Sequence, residues 1–215
     1  MLRASIASFA AILPPAPSGT ELTALLVVVC FSAGLNVYAT VAMLGLLSHA
    51  HVLALPAELW LVDRWYVIAI CGVLFFVEFI GDKIPIFDLF WNAAHTFVRV
   101  PVAGLITYGA TAQLPEWERL LATLAGSLIA LAAHGGKTAA RAAVSHSPEP
   151  ISNIALSLSE DALVVFLMWF ATRHAYAAAA IAVVGLGAIA VMIRFVARAM
   201  RNLFGEAEGA IARRA

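Results

Sequence analysis

Charged residues are scarce in this chain. Asp, Glu, Lys and Arg account for 12% of its 215 residues, whereas hydrophobic residues account for 63%. A soluble domain is typically about 25% charged, so the composition favours an integral membrane protein. The stretches ALLVVVCFSAGLNVYATVAMLGLL and AYAAAAIAVVGLGAIAVMI carry no charge at all. Each has about the 20 residues that a helix needs to cross a bilayer.

Other absences exclude further classes of protein. Cys30 and Cys71 are the only cysteines and lie in apolar runs, which argues against a disulfide framework or a cysteine metal site. The net charge is zero, so nothing in it indicates a nucleic-acid partner. The motifs G-x-x-x-x-G-K-[ST], H-E-x-x-H and G-x-S-x-G are missing. We therefore predict no catalytic residue and no organic cofactor, and leave a carboxylate-bound divalent cation open.

Apolar runs and turn residues predict an all-α, polytopic transmembrane bundle of six helices. The predicted helical domain covers 21–203, between an interfacial segment at 1–20 and a cytoplasmic polar tail at 204–215. Gly135-Gly136 should interrupt the fourth helix, because glycine weakens helices. The six predicted helices cover about 21–48, 64–81, 87–111, 118–144, 151–172 and 175–203.

Lysine and arginine predict the orientation in the membrane. With both termini in the cytoplasm, nine of the 13 basic residues lie at cytoplasmic ends, Arg99 is buried in a helix, and three lie outside. Basic residues concentrate on the cytoplasmic side of membrane proteins. We therefore expect a multi-pass protein of the bacterial cytoplasmic membrane with both termini inside. The three outer residues are Arg64, Arg119 and Arg173.

The chain also divides into two halves of three helices, 21–113 and 116–203. CFSAGLNVYATVAML in the first half is similar to LAAHGGKTAARAAVS in the second. Three spans per half would make the repeats inverted, which is common among secondary transporters. The alternative is that alanine and glycine recur because they favour helix packing.

The fifth predicted helix carries two acids near its middle, Glu160 and Asp161. An ionised acid at the bilayer centre costs about 2.5–3.5 kcal/mol, so this helix cannot face lipid all round. Asn153, Ser157 and Glu160 follow a spacing of three to four residues and form one polar stripe. Either the acids line a site or path, or they only form a salt bridge that fastens the bundle.

The fourth helix supplies basic partners for those acids. His134, Lys137 and Arg141 share one face. They either line a cavity or lie at the cytoplasmic interface with snorkelling side chains. The rigid turn Ser147-Pro148-Glu149-Pro150 follows, and Glu149 is close enough to the basic face to act as a gate or latch.

The junction of helices two and three is also charged. Glu78 and Asp82 are four residues apart and share a face, Lys83 marks the turn, and Asp88 is a candidate N-cap. Arg99 lies about 15 Å below the interface, counted at 1.5 Å per residue, which is level with the acids of helix five. We therefore predict an ion pair from Arg99 to one of those acids. The alternative for the junction is an ordinary interfacial charged turn.

Two polar residues remain in apolar surroundings. Asn36 lies in the middle of the first predicted helix and is either an interhelical hydrogen-bonding group or a substrate ligand. His95 shares a face with Arg99 and is interpreted as a buried histidine with its hydrogen bonds satisfied.

Four sequence patterns carry a family resemblance: AGLNVYATVAMLGL, EFIGDKIPIFDLFWNAAHTFVR, HGGKTAARAAVSHSPEPISN and SLSEDALV. Together they resemble the bacterial integral membrane family called domain of unknown function 4126, over about residues 30–170. The resemblance implies a polytopic inner-membrane protein. It implies no activity.

We predict a small transporter, flippase or channel whose charged site opens toward the cytoplasm. It would be coupled to protons or cations and would handle an ion, a small anion or an anionic lipid. The substrate- or ion-binding residues would be Asn36, Glu78, Asp82, Lys83, Arg99, Lys137, Arg141, Glu160 and Asp161. Secondary residues would be Asp88, His95, His134, Glu149, Asn153 and Ser157.

Two alternatives remain open. One is a membrane-embedded enzyme that acts on a lipid phosphate, with a divalent cation held by the carboxylates and His146 near the phosphate. The other is a structural protein without transport. A wet vestibule that reaches Glu160 from one side would favour transport, whereas dry, mutually paired charges with no cavity would rule out both the transporter and the enzyme. Gly185-x-Gly187 would also permit helix packing in a homo-oligomer.

Overall fold

The computed structural model describes residues 17–82, 85–144 and 150–212, and these ranges contain helices and no strand. The predicted all-α architecture is therefore confirmed. One turn of 3₁₀ helix spans Ala57–Leu59. The α-helices are α1 (Gly19–Leu35), α2 (Val37–His49), α3 (Trp65–Gly81), α4 (Pro85–Ala110), α5 (Glu116–Val144), α6 (Pro150–Ala171) and α7 (Ala175–Ala212).

Three of the described helices are long and apolar enough to cross a membrane. The qualifying segments are Glu116–Arg141, Ile154–Ala171 and Ala175–Phe195. Most of each segment faces outward, and Val184 on α7, for example, is 72% exposed. Apolar helix faces of this kind need hydrocarbon around them, which indicates an integral membrane protein.

The predicted single helix over 21–48 is wrong, because the chain breaks at Asn36. Its backbone is extended, with φ −149° and ψ 101°, so it ends α1 and precedes α2. The Asn36 side-chain oxygen accepts a hydrogen bond from the Ala39 N–H at 2.9 Å. Asparagine is among the strongest N-capping residues, and here its amide starts a second helix inside an apolar run.

The two helices form a hairpin whose outer ends lie together. Thr20 in the first turn of α1 hydrogen-bonds Tyr176 at the start of α7, at 2.9 Å. His49, the last residue of α2, hydrogen-bonds the Asp63 carbonyl just before α3, at 2.8 Å. We call this end of the bundle, where α3 and α7 begin, the outer end. The end where α3 ends and α4 begins is the inner end.

The hairpin corrects the predicted topology of residues 17–20. They were expected to lie at the same end as the C-terminal part of the last helix. Pro17 and Thr172 instead line the same cavity at the outer end, where α7 begins. The C-terminal part of α7 lies away from that end, because the helix extends from there toward the inner end. The prediction counted α1 and α2 as one span, whereas the chain turns back at Asn36. Residues 1–16 and 213–215 lie outside the described residues.

Small residues let α1 approach α5 closely. A Cβ added at Gly34 would lie 2.7 Å from the Ala133 Cβ, and one at Gly126 would lie 2.9 Å from the Cys30 sulfur. In membranes such close contacts are a main source of helix association. The interruption predicted at Gly135-Gly136 is wrong, since α5 is continuous from Glu116 to Val144.

Replacing Gly34 with alanine is expected to lower the free energy of unfolding by about 1–3 kcal/mol, because the new methyl group overlaps α5. Gly187 on α7 is the matched control, since nothing lies within 4 Å of a Cβ added there. Alanine at Gly187 is expected to stabilise by up to about 1 kcal/mol through helix propensity. Unfolding in mixed detergent micelles measures both changes. Equal shifts of the same sign would contradict the close packing of α1 on α5.

Candidate functional site

Buried ion pairs connect α3, α4 and α5 in the interior. The Glu78 carboxylate accepts from the Arg99 guanidinium. It also lies 3.3 Å from the Lys137 ammonium, which lies 3.2 Å from the Asp82 carboxylate. These side chains are fully or almost fully buried. Charges removed from water in this way are stable only when they are paired and hydrogen-bonded.

The network continues toward the inner end through α6. The Arg141 guanidinium lies 2.7 Å from Asp82 and 2.9 Å from Glu160. Lys137 is 3.6 Å from Glu160, whose exposure of 8% is the largest in the network. The structure thus brings the predicted basic face of α5 against the predicted acidic face of α3. The snorkelling interpretation is wrong, because Lys137 and Arg141 are buried.

Two of the cations also bind the backbone where α1 ends. Arg99 donates to the Gly34 carbonyl at 3.3 Å, and Lys137 donates to the Leu35 carbonyl at 3.1 Å. In a continuous helix the Leu35 carbonyl would accept from the Ala39 N–H, which here binds the Asn36 side chain instead. Irregular backbone at membrane depth needs such partners. The helix break and the charge network therefore stabilise each other.

Asp161 differs from the other acids of the site. Its Oδ1 accepts from the Asn36 amide at 2.9 Å, and no cation of the described residues pairs with it. Its Oδ2 has no hydrogen-bond partner among the described residues, although Asp161 is only 5% exposed. Ser157, one turn earlier on α6, has a buried hydroxyl that likewise has no hydrogen-bond partner among the described residues. Among the described residues the buried acids number four and the buried lysine and arginine side chains three, and Asp161 is the acid that has no such partner.

The histidines occupy defined positions beside the network. Arg99 donates to His134 Nδ1 at 2.8 Å, and His134 Nε2 lies 2.8 Å from the Thr96 hydroxyl. A guanidinium only donates, so His134 Nδ1 is the acceptor in this contact. His95 Nε2 lies 2.9 Å from the Tyr38 hydroxyl, so this histidine has a partner, as predicted. Sequence reasoning missed Thr96 as a site residue, since a single threonine in an amphipathic helix gives no distinct signal.

The predicted ion pair from Arg99 to Glu160 or Asp161 is wrong. Arg99 binds Glu78, His134 and the Gly34 carbonyl instead. Its helix α4 packs mainly on α5 and α1, and α1 and α5 each contact α6 in turn. Equal depth in the membrane therefore does not make α4 and α6 direct neighbours.

Several predicted residues fall at the inner end, where the structure describes less. Asp88 lies in the first turn of α4, which begins at Pro85, so the predicted N-cap position is wrong. Proline is a favoured first residue of a helix, because its missing N–H is not needed there. Lys83, His146 and Glu149, with the turn 147–149, lie outside the described residues, as do the side chains of Asp88 and Asn153.

The described residues contain no group of three or more His, Cys, Asp and Glu side chains arranged to hold a metal ion. The carboxylates of Glu78, Asp82 and Glu160 are instead grouped around Lys137 and Arg141. In this arrangement an ammonium and a guanidinium occupy the position between the acids.

Comparison with known proteins places the chain in a family. Residues 23–195 match the family described as Domain of unknown function (DUF4126). The match includes the hairpin from residue 23 onward, every described residue of the charge network, and the transmembrane segment of α7 as far as Phe195. No curated protein and no solved structure matches the chain.

Proposed function

Because the chain belongs to the DUF4126 family, whose function is unknown, we propose its activity from its geometry: a small membrane transporter coupled to a proton. One observation carries this proposal. Asp161 is a buried acid that pairs with no cation of the described residues, and it is hydrogen-bonded to Asn36 at the tip of the hairpin inside the bundle. An uncompensated charge at this depth costs several kcal/mol, so Asp161 would hold a proton in this state.

Broken helices support the same proposal. In many secondary transporters the binding sites are built from interrupted helices, whose ends supply backbone groups to ions and substrates near the membrane midplane. Here α1 ends and α2 begins beside Asp161, and the Gly34 and Leu35 carbonyls bind cationic side chains. The proposed inverted repeat rests on sequence similarity alone, since α5 is continuous where α1 and α2 are separated.

An exchange of partners would couple a substrate anion to a proton. Glu160 is the most exposed acid of the network and shares Arg141 with Asp82. An anion that reaches Arg141 would compete with Glu160, and the released carboxylate would then favour its protonated form. Lys137 lies 3.6 Å from Glu160 and also contacts Glu78 and Asp82. A change in the charge of Glu160 would therefore alter the ion pairs of Lys137 with Glu78 and Asp82.

The proposed orientation places the inner end in the cytoplasm. With the hairpin counted as re-entrant, α3 to α7 would make five spans instead of six. The uneven distribution of basic residues is the same with five spans as with six. Three arginines, Arg64, Arg119 and Arg173, lie near the outer end, whereas Arg194 and Arg198 of α7 lie toward the inner end. Such a bias would place the protein in the bacterial cytoplasmic membrane with its site facing inward.

A second candidate function is structural. Arg99, Lys137 and Arg141 are buried and paired with three acids, as expected of a network that only fastens helices. The feature that this candidate does not explain is Asp161, which has a hydrogen bond from Asn36 but no cation partner among the described residues.

Proton flux into liposomes that contain the purified protein distinguishes the two candidates. A pH-sensitive dye inside the liposomes reports uptake while chloride, inorganic phosphate or an anionic lipid is supplied outside. Wild-type protein is expected to carry protons with one of these anions, and Asp161→Asn to lower the rate by about tenfold or more, equivalent to about 1.4 kcal/mol in the barrier.

Glu58→Gln is the control, because Glu58 is an exposed acid at the outer end. It is expected to leave the flux unchanged. Wild-type flux no greater than that of protein-free liposomes would favour the structural candidate. Equal flux in Asp161→Asn and wild type would remove Asp161 from the mechanism.

A further inference from the structure

A second site lies at the outer end, away from the charge network. It is a cavity of about 430 Å³ between the two arms of the hairpin, the segment 53–59, and the outer ends of α4 and α6. Pockets that bind small molecules typically measure about 300–1,000 Å³. Its walls include Leu22 and Leu26 of α1, Leu44 of α2, Leu55, Ile106 and Met168.

The lining is almost entirely apolar. Gln113 and Thr172 are the only polar residues among the described lining residues. Both lie at the outer ends of helices, Gln113 in the turn after α4 and Thr172 directly after α6. Apolar walls offer water no hydrogen-bond partners, so the lining suits a hydrocarbon with a polar group near the rim.

Exposed aromatic residues mark the depth of that rim. Trp60, Trp65, Trp117, Trp169 and Tyr176 all lie near the outer end and are between 56% and 63% exposed. Tryptophan and tyrosine concentrate where a bilayer meets water. The rim therefore lies at the level of the lipid headgroups, and the cavity extends from there toward the hydrocarbon.

We propose that this cavity binds one acyl chain of a membrane phospholipid, whose headgroup lies against Gln113 and Thr172. The hydrocarbon of a bilayer consists of phospholipid acyl chains. An acyl chain that enters the cavity would exchange its contacts with other acyl chains for contacts with the apolar walls. The headgroup would be zwitterionic, because the described outer end has more acids than basic residues. The acids there are Glu21, Glu58, Asp63, Glu116 and Glu118, against Arg64, Arg119 and Arg173.

Photochemical labelling in nanodiscs tests this site and is independent of the transport proposal. Nanodiscs are prepared with phosphatidylethanolamine or with phosphatidylglycerol that carries a diazirine near the end of one acyl chain. Peptide mass spectrometry is expected to find phosphatidylethanolamine labels on Leu26, Leu44 or Met168. Labels confined to outward-facing residues such as Leu105 and Val184 would overturn the site. Equal labelling of the cavity by phosphatidylglycerol would overturn the zwitterionic headgroup.

A cavity-filling variant gives the second arm of the test. Ala171→Phe places a ring where the chain would lie and is expected to reduce labelling of the cavity by about tenfold, since packed interiors leave no spare volume. Ala177→Phe, at an exposed position on α7, is the matched control and is expected to have no effect. Undiminished labelling in folded Ala171→Phe protein would overturn the proposal. If that variant does not fold, the map of labels on the wild-type protein decides alone.

Discussion

Replacing Lys137 with methionine is expected to lower the free energy of unfolding by about 3–5 kcal/mol, the usual cost of removing one partner from a buried ion pair. The ammonium lies within 3.6 Å of Glu78, Asp82 and Glu160. It also donates to the Leu35 carbonyl at 3.1 Å. Methionine fills a similar volume but leaves this carbonyl without a donor and the carboxylates with less positive charge. Unfolding in mixed detergent micelles measures the loss.

Two comparisons show whether the loss comes from the network. Arg194→Met removes an exposed basic residue from α7 and is expected to change stability little. The double variant Glu78→Gln/Lys137→Met is expected to lose less than the sum of its single variants, because residues of one network are coupled. If Lys137→Met is as stable as Arg194→Met, the ion pairs contribute nothing to the fold.

Replacing Asn36 with leucine is expected to lower the free energy of unfolding almost as much as Lys137→Met does, through two separate losses. The first is the N-cap of α2, whose removal costs about 0.5–2 kcal/mol. The second is the amide donor to Asp161, whose loss leaves a buried carboxyl oxygen unpaired at a cost of about 1–3 kcal/mol. Leucine also favours a continuous helix, so it opposes the reversal of the chain at this position. The same unfolding assay, together with helix content from circular dichroism, measures the change.

Asn36→Ser separates the two losses. Serine retains an N-capping oxygen but has no amide to reach Asp161, so the serine variant is expected to lie between leucine and wild type in stability. Equal stability of the leucine and serine variants would show that the cap has no role in the break between α1 and α2.

Asn36 illustrates how much of the site could be predicted. Its polarity within an apolar run identified it as important, and its amide does bind another helix. That it caps a new helix was missed, because the run is apolar on both sides of Asn36 and no proline or charge marks the break. The decisive contacts are those of the Gly34 and Leu35 carbonyls with Arg99 and Lys137, which lie far away in sequence.

The sequence by itself determined the helical class, the membrane character and the charged faces. These properties depend on composition and on the spacing of residues within one helix, so they can be counted along the chain. The shared faces of Glu78 with Asp82, and of His134 with Lys137 and Arg141, follow from the helical repeat alone.

Only the tertiary structure decided how those faces are used. It paired Arg99 with Glu78 rather than with Glu160, gave Asp161 no cation partner among the described residues, and turned the predicted first span into a hairpin. It also placed the apolar cavity between the arms of that hairpin. The physical reason is that a charged side chain can pair only with residues of the helices that pack beside its own. Which helices become neighbours depends on close packing between segments far apart in sequence, such as Gly34 against Ala133.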